Sequence, residues 1–325
     1  MAKVAVVTGG SAGVGREVVR HLARAGWDVA VLARGTSGVE AAAADVCQEG
    51  RRALGLAVDV ARRSEVEEAA ARVEAELGAI EAWVNVAFVG ALRYFWDTDE
   101  DTYRRITDVT YLGQVHGVQA ALRYMRPRDR GVIVNVGSAL AFRGIPLQAA
   151  YCGAKHAIKG FTESVITELL HEGSRIKVCM VQLPGLNTTQ FDWNDNAFDQ
   201  HPQPVAPIFQ PEVAGRAIAF VVDHPRRNMW VGISTAYTII GNRIVPWFVD
   251  RYLAKTGVDG QLSQQDGPRY GSNLFDPRDA EDDRGSHGMF DAKSHGSDPW
   301  SWLSMHRGQV TAAGGLLTLL ALIRK

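Results

Sequence analysis

Tyr151 and Lys155 stand four residues apart, an interval with chemistry in it. At the start of a predicted helix it sets both side chains on one face. A phenol with a pKa of about 10 holds its proton too firmly to exchange it at neutral pH, and an ammonium within a few ångströms favours the ionised form. Lys155 would be that cation, and Tyr151 the group that gives or takes a proton. Alone the pair is a weak signal, because the same interval arises by chance on many exposed helix faces.

The second chemical feature is a glycine turn, Thr8-Gly9-Gly10-Ser11-Ala12-Gly13-Val14-Gly15-Arg16, between a valine-rich strand and a helix carrying Val14, Val18, Val19 and Leu22 on one side. Glycines let the backbone approach a pyrophosphate, and the helix N-terminus offers it free N–H groups and a positive dipole end. Arg16 and Glu17 follow Gly15 where a Walker A loop needs Lys and Ser or Thr, which excludes that motif. A purely structural turn is the alternative.

These residues need a scaffold, and the chain supplies one up to about Gly232. Short β-branched runs at Val4–Val7, Val29–Leu32, Ala53–Val58, Ala82–Val84, Val132–Val136, Ile176–Val181 and Trp230–Ile233 alternate with helical periodicity at about 13–26, 38–50, 62–77, 101–126, 148–172 and 211–223. Strand and helix in alternation predict an α/β fold, a doubly wound parallel sheet of seven strands with helices on both faces. With 325 residues, 46% hydrophobic and 22% charged, the chain can bury a large core, and wholesale disorder or a polytopic membrane protein is excluded. Thirty-five Lys and Arg against 36 Asp and Glu remove the broad electrostatic case for nucleic acid. Cys47, Cys152 and Cys179 are odd in number and lie far apart, which favours a reducing compartment; with the short apolar run at the N-terminus, the expectation is a cytoplasmic protein.

The spacing TGxxxGxG resembles that of the short-chain dehydrogenase/reductase family, and further motifs stand in the family's order. They are Asp59-Val60, Asn85-Val86-Ala87-Phe88, Ser138, Tyr151-Cys152-Gly153-Ala154-Lys155 and Pro184-Gly185. The resemblance covers roughly residues 3–250 and implies a Rossmann-like domain over 1–253. It also implies a nicotinamide coenzyme and hydride transfer between that coenzyme and a carbonyl or secondary alcohol. Tyr151 would be the acid/base, Ser138 would bond the reacting oxygen, and Lys155 would also hold the nicotinamide ribose. Thr8, Gly9, Ser11, Gly13, Val14, Gly15, Asp59, Val60, Asn85, Ala87, Pro184, Gly185 and Thr188 would line or support the coenzyme, with Asp59 at the adenine and Thr188 at the carboxamide. Ala33 stands where an acid would favour NAD(H), and Arg34 beside it can pair with a 2′-phosphate, so NADP(H) is expected over NAD(H). The two long helices would pair across subunits in a homo-oligomer.

Two positions depart from the pattern. Thr110 replaces an Asn that holds a proton-relay water in the family, and Phe88 replaces a Gly beside the cleft. They motivate a rival reading as a nucleotide-binding sensor with weak or lost turnover. Between Pro184 and Pro211, Phe191, Trp193, Phe198 and Phe209 suggest either a lid for an apolar small-molecule substrate or simple anchors; Phe95 and Trp96 could form an opposite wall. Cys152 reads as a packed thiol and His116 as structural or exposed. His287 and His295, near Asp282, Asp283 and Asp291, fit no metal-ligand spacing, so no metal is expected. Residues 254–300 read as a Gly-, Pro- and acid-rich extended tail, and 301–325 as an apolar helix. Its Val310–Ile323 is too short to span a bilayer and suits a partner subunit or peripheral membrane contact, the basis of a second rival as a membrane-attached interaction protein.

Overall fold

The first strand, Lys3–Thr8 (β1), is buried at every residue after Lys3. Unbroken Val and Ala with both faces covered are what a central parallel strand requires. A computed structural model describes residues 3–267 and 269–307. In it β1 is joined by Trp27–Ala33 (β2), Ala53–Ala57 (β3), Ile80–Asn85 (β4), Val132–Val136 (β5), Lys177–Gln182 (β6) and Asn228–Trp230 (β7). All pairings in this sheet are parallel, and its order is β7-β6-β5-β4-β1-β2-β3. The chain reverses direction between β1 and β4, and the crevice outside the carboxyl ends of those strands is where such folds bind ligands.

Helices cover both faces. One layer holds Gly13–Arg24 (α1), Thr36–Gln48 (α2) and, later in the chain, Pro211–Asp223. Its core includes Val18, Leu22, Val31, Ala214 and Ile218, all fully buried. The opposite layer holds Arg63–Glu76 (α3), Gly113–Met125 and Ala149–His171 around Trp83, Ile80, Ile106 and Met125.

The structure corrects the expected elements in three places. The single helix at 101–126 is Glu100–Ile106 (α4), a π turn over Thr107–Leu112, and Gly113–Met125 (α5). At the π turn the Thr110 hydroxyl donates to Val89 O at 2.8 Å and accepts the Val89 N–H at 3.1 Å, holding the loop after β4 against the helix. The last strand ends at Trp230, and Gly232, at φ +77°, turns the chain into a helix at Ile233. After Ala149–His171 (α6) and Pro211–Asp223 (α7) come two helices that the sequence pattern did not announce, Ile233–Ile244 (α8) and Pro246–Thr256 (α9).

The third correction concerns the tail expected over 254–300: residues 254–256 close α9, and residues 257–267 and 269–298 form a strap laid back over the domain. Leu262–Asp266 pairs with Gln200–Pro202 and Ser294–His295 pairs with Ile208–Phe209. Leu274 and Phe290 are buried, Leu274 within the α3/α5 core. The chain then enters Pro299–Met305 (α10), where Asp298 caps the helix by accepting the Ser301 N–H. Val310–Ile323 lies outside the described residues. Among the described residues, no helix is long and apolar enough to cross a membrane.

Candidate active site

The turn after β1 is built on glycines that no other residue can replace. Gly9 lies at φ +69°, and a Cβ there would stand 2.7 Å from the Ala87 Cα; a Cβ on Gly15 would stand 1.9 Å from Gly9 O. This close packing brings the N-terminus of α1 to the crevice, where Ala12 caps it without a side-chain hydrogen bond. Val14 and Gly15 line a cavity there, at the positive end of the helix. Gly13 packs beneath Thr188, 3.3 Å from its Cβ to where a Cβ would sit.

The cavity has a volume of about 410 Å³ and runs along the ends of β1, β4 and β5. At one end are Gly9, Ser11, Gly13, Arg34, Asp59 and Val60; at the other are Ser138, Tyr151 and Lys155, with Ala87, Pro184, Gly185 and Thr188 also in the wall. Ser138 follows β5 and starts a short turn by accepting the Leu140 N–H at 3.1 Å. Tyr151 and Lys155 sit in the first two turns of α6, on the face turned to the sheet.

Lys155 is buried, and its Nζ donates to Val136 O at 2.8 Å. It lies over two rings, 5.5 Å from the Tyr151 centroid and 5.6 Å from that of Phe88. Phe88 and Tyr151 meet edge to face at 5.7 Å. Phe88 therefore stands as a wall beside the ammonium and borders the cavity. Desolvation brings the Lys155 pKa down to about 7. Burial, then the Cys152 thiol, push the Tyr151 phenol above its ordinary value, opposed by a hydrogen bond with Ser138. Lys155, expected to lower the phenol, is not among the causes of that shift; its ammonium faces the ring and donates to the Val136 carbonyl. Cys152 is buried, its thiol pushed up to about 11 by desolvation, as suits a packed residue.

Other expected site residues hold the scaffold. Thr8 is buried, and its hydroxyl accepts the N–H groups of Val86 and Ala87 at 3.2 and 3.4 Å, tying β1 to the loop after β4. Asn85 accepts the Trp83 indole N–H at 2.8 Å and donates to Asn135 at 2.9 Å, bridging β4 and β5 inside the core. Neither lines the cavity, and nor does Thr110, whose hydroxyl is consumed by Val89. The residue near Lys155 that the sequence reading missed is Gln114. It is buried, its Nε2 donates to the same Val136 O at 3.1 Å, and its Oε1 has no partner among the described residues. A buried amide oxygen with no donor is a place for a bound water. A glutamine between Gly113 and Gly117 on an otherwise apolar helix face was its signal.

The aromatic loop divides. Trp193 and Phe209 are buried anchors, Phe191 and Trp193 border the cavity, and Phe198 packs on Tyr94. Phe95 and Trp96 are exposed and do not line it. His116 bonds Val60 O, a structural role.

At the adenosine end the expectation for Arg34 is corrected. Its Nη1 donates to Phe275 O at 2.8 Å and Leu274 O at 3.4 Å, and its Nη2 to Asn273 O at 2.5 Å, all on the strap. The guanidinium borders the cavity and at the same time clamps the strap. Asp59 is held by Arg105 at 2.7 Å, and its Oδ1 accepts the Ala61 N–H at 3.0 Å.

The short chain dehydrogenase family profile matches residues 3–200. This chain belongs to the short-chain dehydrogenase/reductase family and is an oxidoreductase of that type, with the nicotinamide coenzyme of the family. It is similar to the uncharacterized oxidoreductase YxnA of Bacillus subtilis, 29% identical over 289 residues, which cover 88% of this chain and 81% of the relative. Human 3-oxoacyl-[acyl-carrier-protein] reductase is 31% identical over 229 residues, 69% of this chain and 93% of that one. A short chain dehydrogenase/reductase from Burkholderia phymatum, solved with NAD, shares the fold at a TM-score of 0.68 and 18% identity, covering 77% of this chain and 95% of its own. So does an alcohol dehydrogenase from Thermococcus sibiricus solved with 5-hydroxy-NADP, at 0.62 and 22%, covering 71% and 96%.

Proposed function

We propose that the chain interconverts a carbonyl group and a secondary alcohol on an apolar small molecule, using a nicotinamide dinucleotide. The observation that carries this reading is one continuous cavity with the glycine turn at one end and Ser138, Tyr151 and Lys155 at the other. The glycine turn suits a pyrophosphate, because its close packing, which a Cβ at Gly9 or Gly15 would break, brings the N-terminus of α1 to the cavity. Gly9, Gly13, Val14 and Gly15 would hold the dinucleotide from below, and Ala87, Pro184, Gly185 and Thr188 from the sides. Bound nicotinamide supplies or accepts the hydride.

Tyr151 Oη gives its proton to the carbonyl oxygen in reduction and recovers it in oxidation, and Ser138 Oγ hydrogen-bonds the same oxygen. A phenol whose burial keeps it protonated is suited to the donor's part. Lys155 Nζ adds positive charge beside the ring and would bind the nicotinamide ribose. Phe191, Trp193, Leu140 and Ile145 make the wall beside Tyr151 apolar, which favours a substrate of that character. The homo-oligomer and the cytoplasmic setting expected from the sequence belong to this proposal, and light scattering of the purified chain reads the first.

The test is to mix the purified chain with reduced coenzyme and a panel of apolar ketones and aldehydes. Tyr151→Phe should lose about 10²–10⁴-fold in kcat, the range of general acid catalysis, while binding dinucleotide as before. Dinucleotide binding with no Tyr151-dependent turnover across the panel would replace this reading with that of a nucleotide-binding sensor.

A further inference from the structure

We propose that the C-terminal strap completes the coenzyme site, and that Asp279 makes it selective for NAD(H) over NADP(H). The inference rests on the cavity being a dinucleotide site, as proposed above. β2 ends in Ala33, with no carboxylate at that end to receive a ribose hydroxyl; its one carboxylate, Asp28, is at the other end, held by Arg51 and Arg52. A carboxylate is nevertheless present at that place, brought from the far end of the chain.

Asp279 is buried and borders the cavity, and its Oδ2 accepts the Ser11 hydroxyl proton at 2.6 Å. It lies in a socket left by two glycines just after β2. A Cβ on Gly35 would come within 1.9 Å of Oδ1, and one on Gly38 within 2.4 Å of Oδ2. The backbone on both sides is fastened. Asp279 O accepts the Gly38 N–H at 3.0 Å, and Ala280 O accepts the Thr36 hydroxyl at 2.9 Å and the Ser37 N–H at 3.3 Å. Gly285 O accepts the Gly13 N–H at 3.0 Å, and Asp283 receives Arg16 at 3.1 Å. The strap thus bridges the N-termini of α1 and α2, and the carboxylate is held at a fixed point beside the adenosine end.

Its charge decides what it accepts. A carboxylate takes hydrogen bonds from a ribose 2′-hydroxyl, whereas a 2′-phosphate brings a second anion against it without a proton to share. The cations close by keep their charge, but most of their donor groups already have partners within the protein. Arg34 is committed to three strap carbonyls, Arg105 to Asp59 and Leu274 O, and Arg278 gives its Nε–H to Ser272 O at 2.7 Å. The residue that suggested NADP(H) in the sequence fastens the segment that opposes it.

Calorimetric titration of the full chain with NAD⁺ and with NADP⁺ tests this without turnover. The wild type should bind NAD⁺ at least about tenfold more tightly, and Asp279→Asn should shrink that ratio severalfold by removing like-charge repulsion. Asp282→Asn, on an exposed side chain of the same strap, should leave the ratio unchanged. Wild-type affinity for NADP⁺ equal to or above that for NAD⁺ overturns the role of Asp279, as does an unaltered ratio in a folded Asp279→Asn. The wild-type ratio decides even where the variant fails to fold. If neither dinucleotide binds the wild type, the dinucleotide reading itself falls and this inference falls with it.

Discussion

The ammonium of Lys155 lies over the face of the Tyr151 ring, 5.5 Å from its centroid, and hydrogen-bonds the backbone oxygen of Val136. The two side chains share a helix face as their spacing dictates, yet in this arrangement the lysine does not lower the phenol. Burial governs both groups, raising the acid and lowering the base.

That burial makes stability depend on pH in a direction that can be worked out. The Lys155 pKa falls from 10.5 to about 7 on folding, by desolvation. Between those values the unfolded chain binds more protons than the folded one, so this group's contribution to stability rises with pH across the window. Lys155→Met removes it, and Val136 O keeps a donor in Gln114 Nε2. The wild-type Tm minus that of the variant should increase from pH 6.5 to pH 9, pH values bracketing about 7. A difference that stays flat would contradict the assigned burial.

The strap carries a titratable clamp of opposite sign. His287 lies between Glu212, 2.6 Å from Nε2, and Asp291, 2.8 Å from Nδ1. Desolvation disfavours its charge, but the hydrogen bonds to Asp291 and Glu212 outweigh that and raise its pKa above 6.5. The clamp is complete below the unfolded value and is lost as pH rises through the folded one. Amide hydrogen exchange at 285–291, corrected for intrinsic rates, should lose protection on going from pH 6 to pH 9, either side of the usual His value of about 6.5. His287→Gln should abolish the change, and persistence of the pH effect in that variant would remove His287 as its source.

Leu274 ties the strap to the core. It is 1% exposed and packs within the α3/α5 cluster. Leu274→Ala should cost about 2–4 kcal/mol in urea unfolding, as for other buried leucines. An unchanged midpoint would mean that the strap does not pack on the domain.

Gly15 tests the turn. A methyl group there meets Gly9 O at 1.9 Å and Gly10 Cα at 3.0 Å, both backbone, so only displacement of the turn relieves it. Gly15→Ala should destabilise by roughly 1–3 kcal/mol and abolish dinucleotide binding. Retained binding in calorimetry would argue against the turn as the pyrophosphate cradle.

Six of the seven sheet strands are legible in the sequence because each is a short apolar run, most of them rich in valine, set between helical stretches, which needs no tertiary information. The seventh was placed too late, since Val231 and Ile233 extend an apolar run across Gly232, where the backbone turns. Helices over 233–256 escaped notice because Tyr237, Ile240, Ile244, Trp247 and Phe248 leave their outer faces exposed and apolar, with no polar stripe to mark a period. The π turn answers to a contact between Thr110 and Val89, and the roles of Thr8 and Asn85 answer to neighbouring strands. Arg34 was misjudged because its partners are main-chain oxygens some 240 positions away. Among local signals only Gly35 and Gly38, spaced to admit another group beside β2, hinted at the strap.

Ser11 and Asp279 are 268 positions apart, so the wall beside the glycine turn is made by chain that follows every strand of the sheet. The seven sheet strands and the tyrosine–lysine pair all precede this wall in the chain. A chain ending short of residue 273 would keep Tyr151 and Lys155 but lack the carboxylate beside Ser11, and with it the coenzyme discrimination proposed for Asp279.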